Sequence, residues 1–476
     1  MSEWKKVKIG DFLTEREGRY KPDDSKISKY KRLDKIDFSG NIHISDKPTK
    51  TDMIIVHPGD LIISGINVAK GAVAVYQGDE PVCATIHYSS YTFDSSKVDL
   101  EYFKYFVKSP AFIAALQKQV KGGIKTEIKP KHLLPLEISI PDLLTQQRIV
   151  KKISLQLQKT EQLSLEIESQ NNYIKQLHQN ILQDAIEGKL TADWRKQNPV
   201  QKGNPDYDAE ALFERIQKGE VSPSLQPATQ FSATPSPRGK APKTPENSRE
   251  FFEEKLDSER KRTNNARSKS LAPITDEEKP FEIPEGWKWV RLGEIGNWAS
   301  GATPSKSELT YYVNGTIPWL RTGDLNDNVI SSLPITITEK ALNECSLRLN
   351  PIDSVLIAMY GATIGKVGIL KTQATTNQAC CACIPYQSNF SQYLFYLLIA
   401  LREYFKEKSW EAAQPNISKE IIIQTPFALP PLKEQEEIVN KVEMLLVKVT
   451  TLENQIQDRK SLSDKLIFGI IKENLE

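Results

Sequence analysis

No run of about 18 consecutive apolar residues occurs in this 476-residue chain, so hydrophobic length alone supplies no membrane-crossing helix. Cysteine is scarce, and five residues, an odd number in a long chain, do not make a disulfide framework. The five histidines are scattered singly, without zinc-site spacing. Charge of one sign is lacking too: 63 Lys and Arg stand against 61 Asp and Glu, a net +2. Any affinity for a polyanion must therefore come from basic residues gathered on one face, or from partners. The opening Met1-Ser2-Glu3-Trp4-Lys5-Lys6 lacks an apolar signal core, and the chain is expected to stay in the cytoplasm. With 39% hydrophobic and 26% charged residues the chain reads as soluble and globular, and its length calls for two or more domains.

Catalytic constellations are missing as well. An enzyme that methylates amino groups of DNA bases would carry an Asn-Pro-Pro-Tyr-like motif and a Gly-rich cofactor loop, and neither is present. Gly361-Ala362-Thr363-Ile364-Gly365-Lys366 imitates a phosphate-binding loop. Its spacing is one residue short, and Val367 stands where Ser or Thr should hold magnesium. These glycines read as a tight turn close to another backbone. Cys380-Cys381-Ala382-Cys383 reads as small buried residues on a strand rather than zinc ligands. Pro22-Asp23-Asp24-Ser25-Lys26 is too loose for a nuclease centre. The expectation is a binding protein, not an enzyme, with no cofactor and no metal of its own.

Repetition is what the chain does have. Trp4-Lys5-Lys6-Val7-Lys8-Ile9-Gly10-Asp11-Phe12 returns as Trp287-Lys288-Trp289-Val290-Arg291-Leu292-Gly293-Glu294-Ile295, an offset of 283 with eight of nine positions identical or similar. Pro141 to Lys152 returns as Pro430 to Lys441, an offset of 289, and Pro58-Gly59-Asp60 matches Pro351-Ile352-Asp353 between them. Three anchors in one order indicate two copies of one plan, each a globular part followed by a helix.

From Pro141 to Gly188 there is neither Gly nor Pro, and Ile153, Thr160, Ile167, Ile174 and Ile181 fall seven residues apart. Adding 289 gives Val442, Val449, Ile456, Ser463 and Ile470. Leu163 and Leu177, and in the second copy Leu445, Leu452 and Leu466, supply a second apolar position. A sustained heptad with Gln, Lys and Glu elsewhere predicts paired coiled-coil helices. Two amphipathic helices packed on separate domains are the alternative.

In the globular parts, Ile54–Val56, Leu61–Ile63 and Ala72–Val75 read as strands, His57–Asp60 as a turn, and Leu100 to Lys118 as a helix. Ser354 to Met359, Lys366 to Leu370 and Gln392 to Lys408 repeat the pattern. Between the copies, residues 196 to 283 are rich in Pro, Ser, Thr and Lys and cannot bury enough apolar surface to fold alone. Helical pieces are expected at Ala209 to Lys218 and Arg249 to Arg267. Glu259-Arg260-Lys261-Arg262 is either a nucleic-acid patch or a solvated helix face. The fold class is thus α+β: two mixed α/β globular domains in internal repeat, separated by two long helices forming an antiparallel coiled coil. The predicted divisions are 1–143, 144–195, 196–283, 284–429 and 430–476.

Taken together, several segments resemble the specificity subunits of type I restriction-modification enzymes. They are Trp287 to Ile295 after Ile283-Pro284-Glu285-Gly286, Ile317 to Leu325, Gly361 to Gly368 and Asn377-Gln378. Gln414 to Ser418, Pro430 to Gln435, and Gly188 to Arg195 at the end of the first long helix complete the set. The first copy departs more, with Tyr30 to Asp34 where the second has Trp319 to Gly323, and no Asn-Gln pair near Cys83.

The resemblance implies that each target-recognition domain reads one half of a split site in double-stranded DNA. It also implies that the paired helices fix the gap and dock two methyltransferase subunits, with two restriction subunits joining. S-adenosylmethionine, ATP and magnesium would belong to those partners. The alternatives are the recognition part of a fused restriction-methylation enzyme, or a coiled-coil adaptor that binds protein only. Base edges and phosphates attract Arg, Lys, Asn, Gln, Ser and Thr on loops. The candidate DNA contacts are Arg32, Lys35, Asn67, Lys70, Lys125 and Thr126 in the first domain. In the second they are Arg321, Tyr360, Lys366, Gln414, Asn416 and Ser418. Arg32 and Arg321 have a structural alternative, bracing a loop through Asp34 or Asp324. Helix pairing and partner docking fall to Ile153, Ile167, Ile174, Ile181, Val442, Val449, Ile456 and Ile470.

Overall fold

The computed structural model describes residues 4–37, 40–45, 49–67, 72–119, 128–220, 253–259, 261–263, 271–410 and 416–475. They form two compact units, one of residues 1–171 with 454–476 and one of 172–453.

In the first unit, Lys5–Lys8 pairs antiparallel with Glu137–Ile140. One four-stranded sheet runs Leu13–Glu15, Tyr88–Phe93, Leu61–Ser64, Val73–Val75. The other runs Ile42–Ser45, Arg32–Ile36, Val82–Thr85, Met53–Val56, and its central pair is parallel. The second unit repeats this order. Lys288–Arg291 pairs with Pro426–Leu429. Gly296–Ser300, Cys380–Pro385, Val355–Ala358 and Val367–Leu370 form the matching sheet, extended by Asn328–Ile330. Thr336–Ile337, Ile317–Leu320 and Thr375–Thr376 form the other, again with a parallel pair. The duplication is therefore one of topology.

The structure moves the third anchor by one residue. Gly59 N–H donates to the Tyr76 carbonyl at 2.8 Å, and Asp353 N–H donates to that of Leu370 at 2.8 Å. Both sit at positive φ, 84° and 66°, so Gly59 corresponds to Asp353 and Asp60 to Ser354. The turn needs a left-handed residue, which Gly supplies freely and Asp tolerates.

The expected helix from Leu100 to Lys118 is two helices, Leu100–Phe106 and Pro110–Gln119. Pro110 cannot continue a helix but suits the first turn of a new one, and the Ser109 hydroxyl accepts the Phe112 N–H at 3.2 Å. The second copy divides likewise into Ser391–Ala400 and Arg402–Trp410.

The long helices, Leu143–Ile186 and Leu432–Leu475, each have 44 residues and start 289 apart, a length of about 65 Å at 1.5 Å per residue. A glutamine near each start does the same work: Gln146 Nε2 donates to the Pro141 carbonyl and Gln435 Nε2 to that of Pro430, both at 2.8 Å. Within the first unit Asn474 Nδ2 donates to Gln156 Oε1 at 2.9 Å and Arg459 Nη1 to Gln170 Oε1 at 3.4 Å. Within the second, His178 Nε2 lies 3.2 Å from a Glu453 carboxylate oxygen and Lys441 Nζ donates to the Leu190 carbonyl at 3.3 Å. Residue numbers rise on one helix as they fall on the other, so each pairing is antiparallel.

All ten heptad residues of the first seam are buried, and Ile153 and Ile470 also join the core of the first unit with Tyr102, Phe103 and Phe112. The second seam differs from expectation. Leu163, Leu177, Leu452 and Leu466 remain 38–50% exposed. Two helices cover only a narrow stripe of each other, and that stripe is one row wide here.

The helical piece expected within Arg249 to Arg267 is present where that segment is described. Residues 253–259 and 261–263 are helical, and Leu256 packs with Ile317, Trp319 and Ile337 of the second globular part. Glu259 is buried and pairs with Arg348 at 3.2 Å and Arg262 at 2.7 Å. It therefore lies on neither a solvated face nor a basic patch; Lys261 and Arg262 are exposed, and Arg260 lies outside the described residues.

Candidate nucleic-acid interface

Two loops meet at the same place in both copies. In the first, the hairpin between Leu61–Ser64 and Val73–Val75 is tied to the segment before Pro130–Leu133 by Ile128 N–H donating to the Gly65 carbonyl at 2.7 Å. In the second, Ile417 N–H donates to the Met359 carbonyl at 2.9 Å. Gly65 and Met359 in turn donate to the turn before the next strand, at the His87 carbonyl (2.8 Å) and the Ala379 carbonyl (2.9 Å). Turns joined to a rigid sheet by backbone bonds carry polar side chains at fixed positions, which groove reading requires.

In the second copy this pair of loops gathers Tyr360, Lys366, Asn416 and Ser418. Tyr360 and Asn416 face each other across an isolated antiparallel bridge, and the Tyr360 side chain is exposed. Lys366 Nζ donates to Asn326 Oδ1 at 2.7 Å. Ser418 caps the helix Lys419–Gln424, its hydroxyl accepting the Ile421 N–H at 3.2 Å, so its oxygen already has structural employment. Arg402 braces the loop from behind, donating through Nε to the Gly365 carbonyl at 3.0 Å and through Nη2 to Asp327. A Cβ at Gly365, whose φ is +76°, would lie 2.8 Å from the Arg402 Cγ, so glycine permits the approach. The segment runs on into the strand Val367–Leu370, not into the helix of a phosphate-binding loop.

In the first copy Asn67 occupies the hairpin, its carbonyl accepting the Ala72 N–H at 3.2 Å. Lys70, Lys125, Thr126 and Gln414 lie outside the described residues. Arg32, Lys35 and Arg321 are not brought to the loop pair by any hydrogen bond among the described residues; they belong to the other sheet or its end. Arg32 Nη2 donates to Asp34 at 2.7 Å, the bracing alternative. Asp324 instead accepts the Arg321 backbone N–H at 2.9 Å.

The three cysteines of the central strand Cys380–Pro385 are fully buried. Burial pushes the Cys381 thiol up to about 12 and those of Cys380 and Cys383 well above their ordinary value. The groups stay neutral, the opposite of what a metal thiolate needs. Among the described residues no group of three His, Cys, Asp or Glu is placed to hold a metal ion. No described helix is long and apolar enough to cross a membrane.

Three sequence motifs converge within the second unit in a way their spacing did not reveal. Glu434, from Pro430 to Gln435, is buried and accepts from Thr191 Oγ1 at 2.6 Å, from the Arg195 guanidinium and from Trp287 Nε1 at 2.7 Å. Gly188, at φ +74°, lets the end of the first long helix pass Pro284 and Trp287, where a Cβ would come within 2.7 and 3.0 Å.

Comparison with known proteins places these features. Residues 1–170 and 284–459 match the sequence profile of the type I restriction modification DNA specificity domain. The Escherichia coli type I restriction enzyme EcoR124I/EcoR124II specificity subunit is 30% identical over 176 residues, 36% of this chain and 43% of that protein. The MjaIX specificity subunit of Methanocaldococcus jannaschii is 32% identical over 188 residues, 38% of this chain and 43% of that protein. The chain thus matches under half the length of these relatives. A solved chain described for complex assembly and conformational transition of the type I R-M system aligns over 100% of this chain and 98% of its own. Its TM-score is 0.54 at 16% identity, which shows the fold.

Proposed function

We propose, from the premise that this chain belongs to the type I restriction modification DNA specificity family, that it reads a bipartite site in double-stranded DNA without doing chemistry itself. The observation that carries this reading is the repeated loop pair, Ile128 to Gly65 and Ile417 to Met359. One fold used twice, with different polar residues on equivalent loops, is what two unlike half-sites require. Direct contacts would come from Asn67, Tyr360, Lys366 and Asn416, with Lys70, Lys125, Thr126 and Gln414 on the same loops in sequence.

The paired helices dock the methyltransferase subunits, and their length sets the number of base pairs skipped between half-sites. The buried isoleucines and valines hold the helices together; the half-exposed Leu163, Leu177, Leu452 and Leu466 offer the apolar surface for docking. S-adenosylmethionine, ATP and magnesium act in the methyltransferase and restriction subunits.

Exchanging residues 253–429 for the equivalent part of a relative tests the reading. Genome-wide mapping of methylated adenines, in cells that also carry the methyltransferase subunit, should show one half-site changed and the other kept. A simultaneous change in both would overturn the division of labour. Methylation or cleavage by the purified chain alone would overturn its non-catalytic role.

A further inference from the structure

One charged pair in the first copy has no counterpart in the second. Arg16 Nε donates to both carboxylate oxygens of Asp60, at 2.9 and 2.8 Å. Asp60 is 1% exposed and also accepts from the Ser90 hydroxyl at 2.8 Å and the His57 N–H at 3.0 Å. The pair is not needed to build the turn. Strand register aligns Glu15 with Trp298, through Tyr91 and Cys383, and hence Arg16 with Ala299. Asp60 aligns with Ser354, which closes the same turn through its hydroxyl on the Pro351 carbonyl at 2.8 Å.

The carboxylate grips the guanidinium at Nε only. Nη1 and Nη2 have no hydrogen-bond partner among the described residues, and the side chain keeps 38% of its surface. A buried anion thus holds the guanidinium at Nε and leaves Nη1 and Nη2 available to donate elsewhere. Arg16 lines a recess of about 290 Å³ shared with Glu15, Glu17, Arg19, His87 and Lys129. The recess adjoins the loop pair, since His87 accepts from Gly65 and Ile128 precedes Lys129.

We propose that Arg16 is a specificity-determining residue, donating from Nη1 and Nη2 to O6 and N7 of a guanine in the half-site read by the first domain. The inference rests on the DNA-reading function proposed above. The carboxylates argue for a base edge over a phosphate. Glu15 and Glu17 repel a phosphate, whereas a G·C pair offers two acceptors on guanine and an amino donor on cytosine.

The full-length chain with its methyltransferase subunit is compared as wild type, Arg16→Lys and Arg16→Gln, by methylated-adenine mapping and by binding to duplexes varied one base pair at a time. Arg16→Gln should lose discrimination at one guanine of one half-site, about ten-fold or more, and Arg16→Lys, which keeps the charge but not the planar fork, should lose part of it, with the other half-site unchanged. Uniformly weaker binding, with the salt slope reduced by about one unit, identifies a phosphate contact and overturns the proposal. Unchanged discrimination leaves the pair as a structural brace and overturns it too. An arm that leaves the protein untouched settles the matter if a variant folds poorly. Wild-type protein is bound to duplexes carrying 7-deazaguanine at each guanine of that half-site, and one position must weaken. A half-site without guanine, or without such a position, sinks the idea. If wild type marks no bipartite site, the family-based function fails instead, and the outcomes remain distinguishable.

Discussion

The carboxylate of Glu434, at the start of the second long helix, accepts the indole N–H of Trp287 at 2.7 Å. The same carboxylate takes Thr191 and Arg195, so a side chain 2% exposed holds the end of one helix, the start of another and the entry to the second globular part. Glu434→Ala should cost about 3–5 kcal/mol, because it leaves a guanidinium and an indole N–H without their anion. Glu434→Gln should cost less. Urea unfolding of the two variants measures this, and a loss under about 1 kcal/mol for the alanine variant would show the hub to be decorative.

Ser463 interrupts the buried row of Ile456 and Ile470, is 3% exposed, and its hydroxyl has no hydrogen-bond partner among the described residues. Burying an unmade hydroxyl costs about 1–3 kcal/mol. Ser463→Val should therefore raise the melting temperature. A fall would mean that the seam lacks room for the extra methyl group or that water reaches the hydroxyl.

Glu278 supplies a pH dependence. Hydrogen bonds from Arg291 hold its carboxyl down to about 2, against 4.5 ordinarily. Unfolding releases it, so the pair stabilises the fold above about 4.5 and that contribution fades as pH falls toward about 2. Glu278→Gln should flatten the acid limb of the stability curve while leaving its slope above pH ~6 unchanged. Identical acid limbs for wild type and variant would contradict the assignment.

The thiols give a chemical test. Thiolate is the reactive form, and burial raises Cys83, Cys380, Cys381 and Cys383. Native-state alkylation at pH ~8 should label the half-buried Cys345 first. Peptide mapping that finds Cys381 labelled as fast as Cys345 would mean the central strand opens.

Much of the architecture is legible in the sequence because duplication writes it twice. The heptad row, the strands Leu61–Ser64 and Val355–Ala358, and the equal helices follow from period and offset. The one-residue slip at Asp353 was not legible, because the match Asp60 to Asp353 is chemically good while the turn is set by φ. Nor was the half-exposed second leucine row, since a heptad records what is apolar and not how many helices are present to cover it. The site was harder still. Residue type singled out Arg32 and Lys366, but the Arg16–Asp60 pair joins positions 44 apart, and nothing local marks a buried carboxylate.

The buried Glu259–Arg348 pair bears on inheritance. Suppose recombination imported a foreign recognition domain with its crossover at Lys288. The recipient's Glu259 and Leu256 would then meet a surface selected against a different strap. Glu259 would keep Arg262 of its own strap but lose the buried Arg348, and stripping a buried carboxylate of its buried partner is costly, so such recombinants would fold poorly whatever base sequence the new loops could read. Crossovers upstream of residue 253 move the strap with its domain. Viable exchanges should therefore break inside the Pro-rich stretch and spare the junction at Trp287.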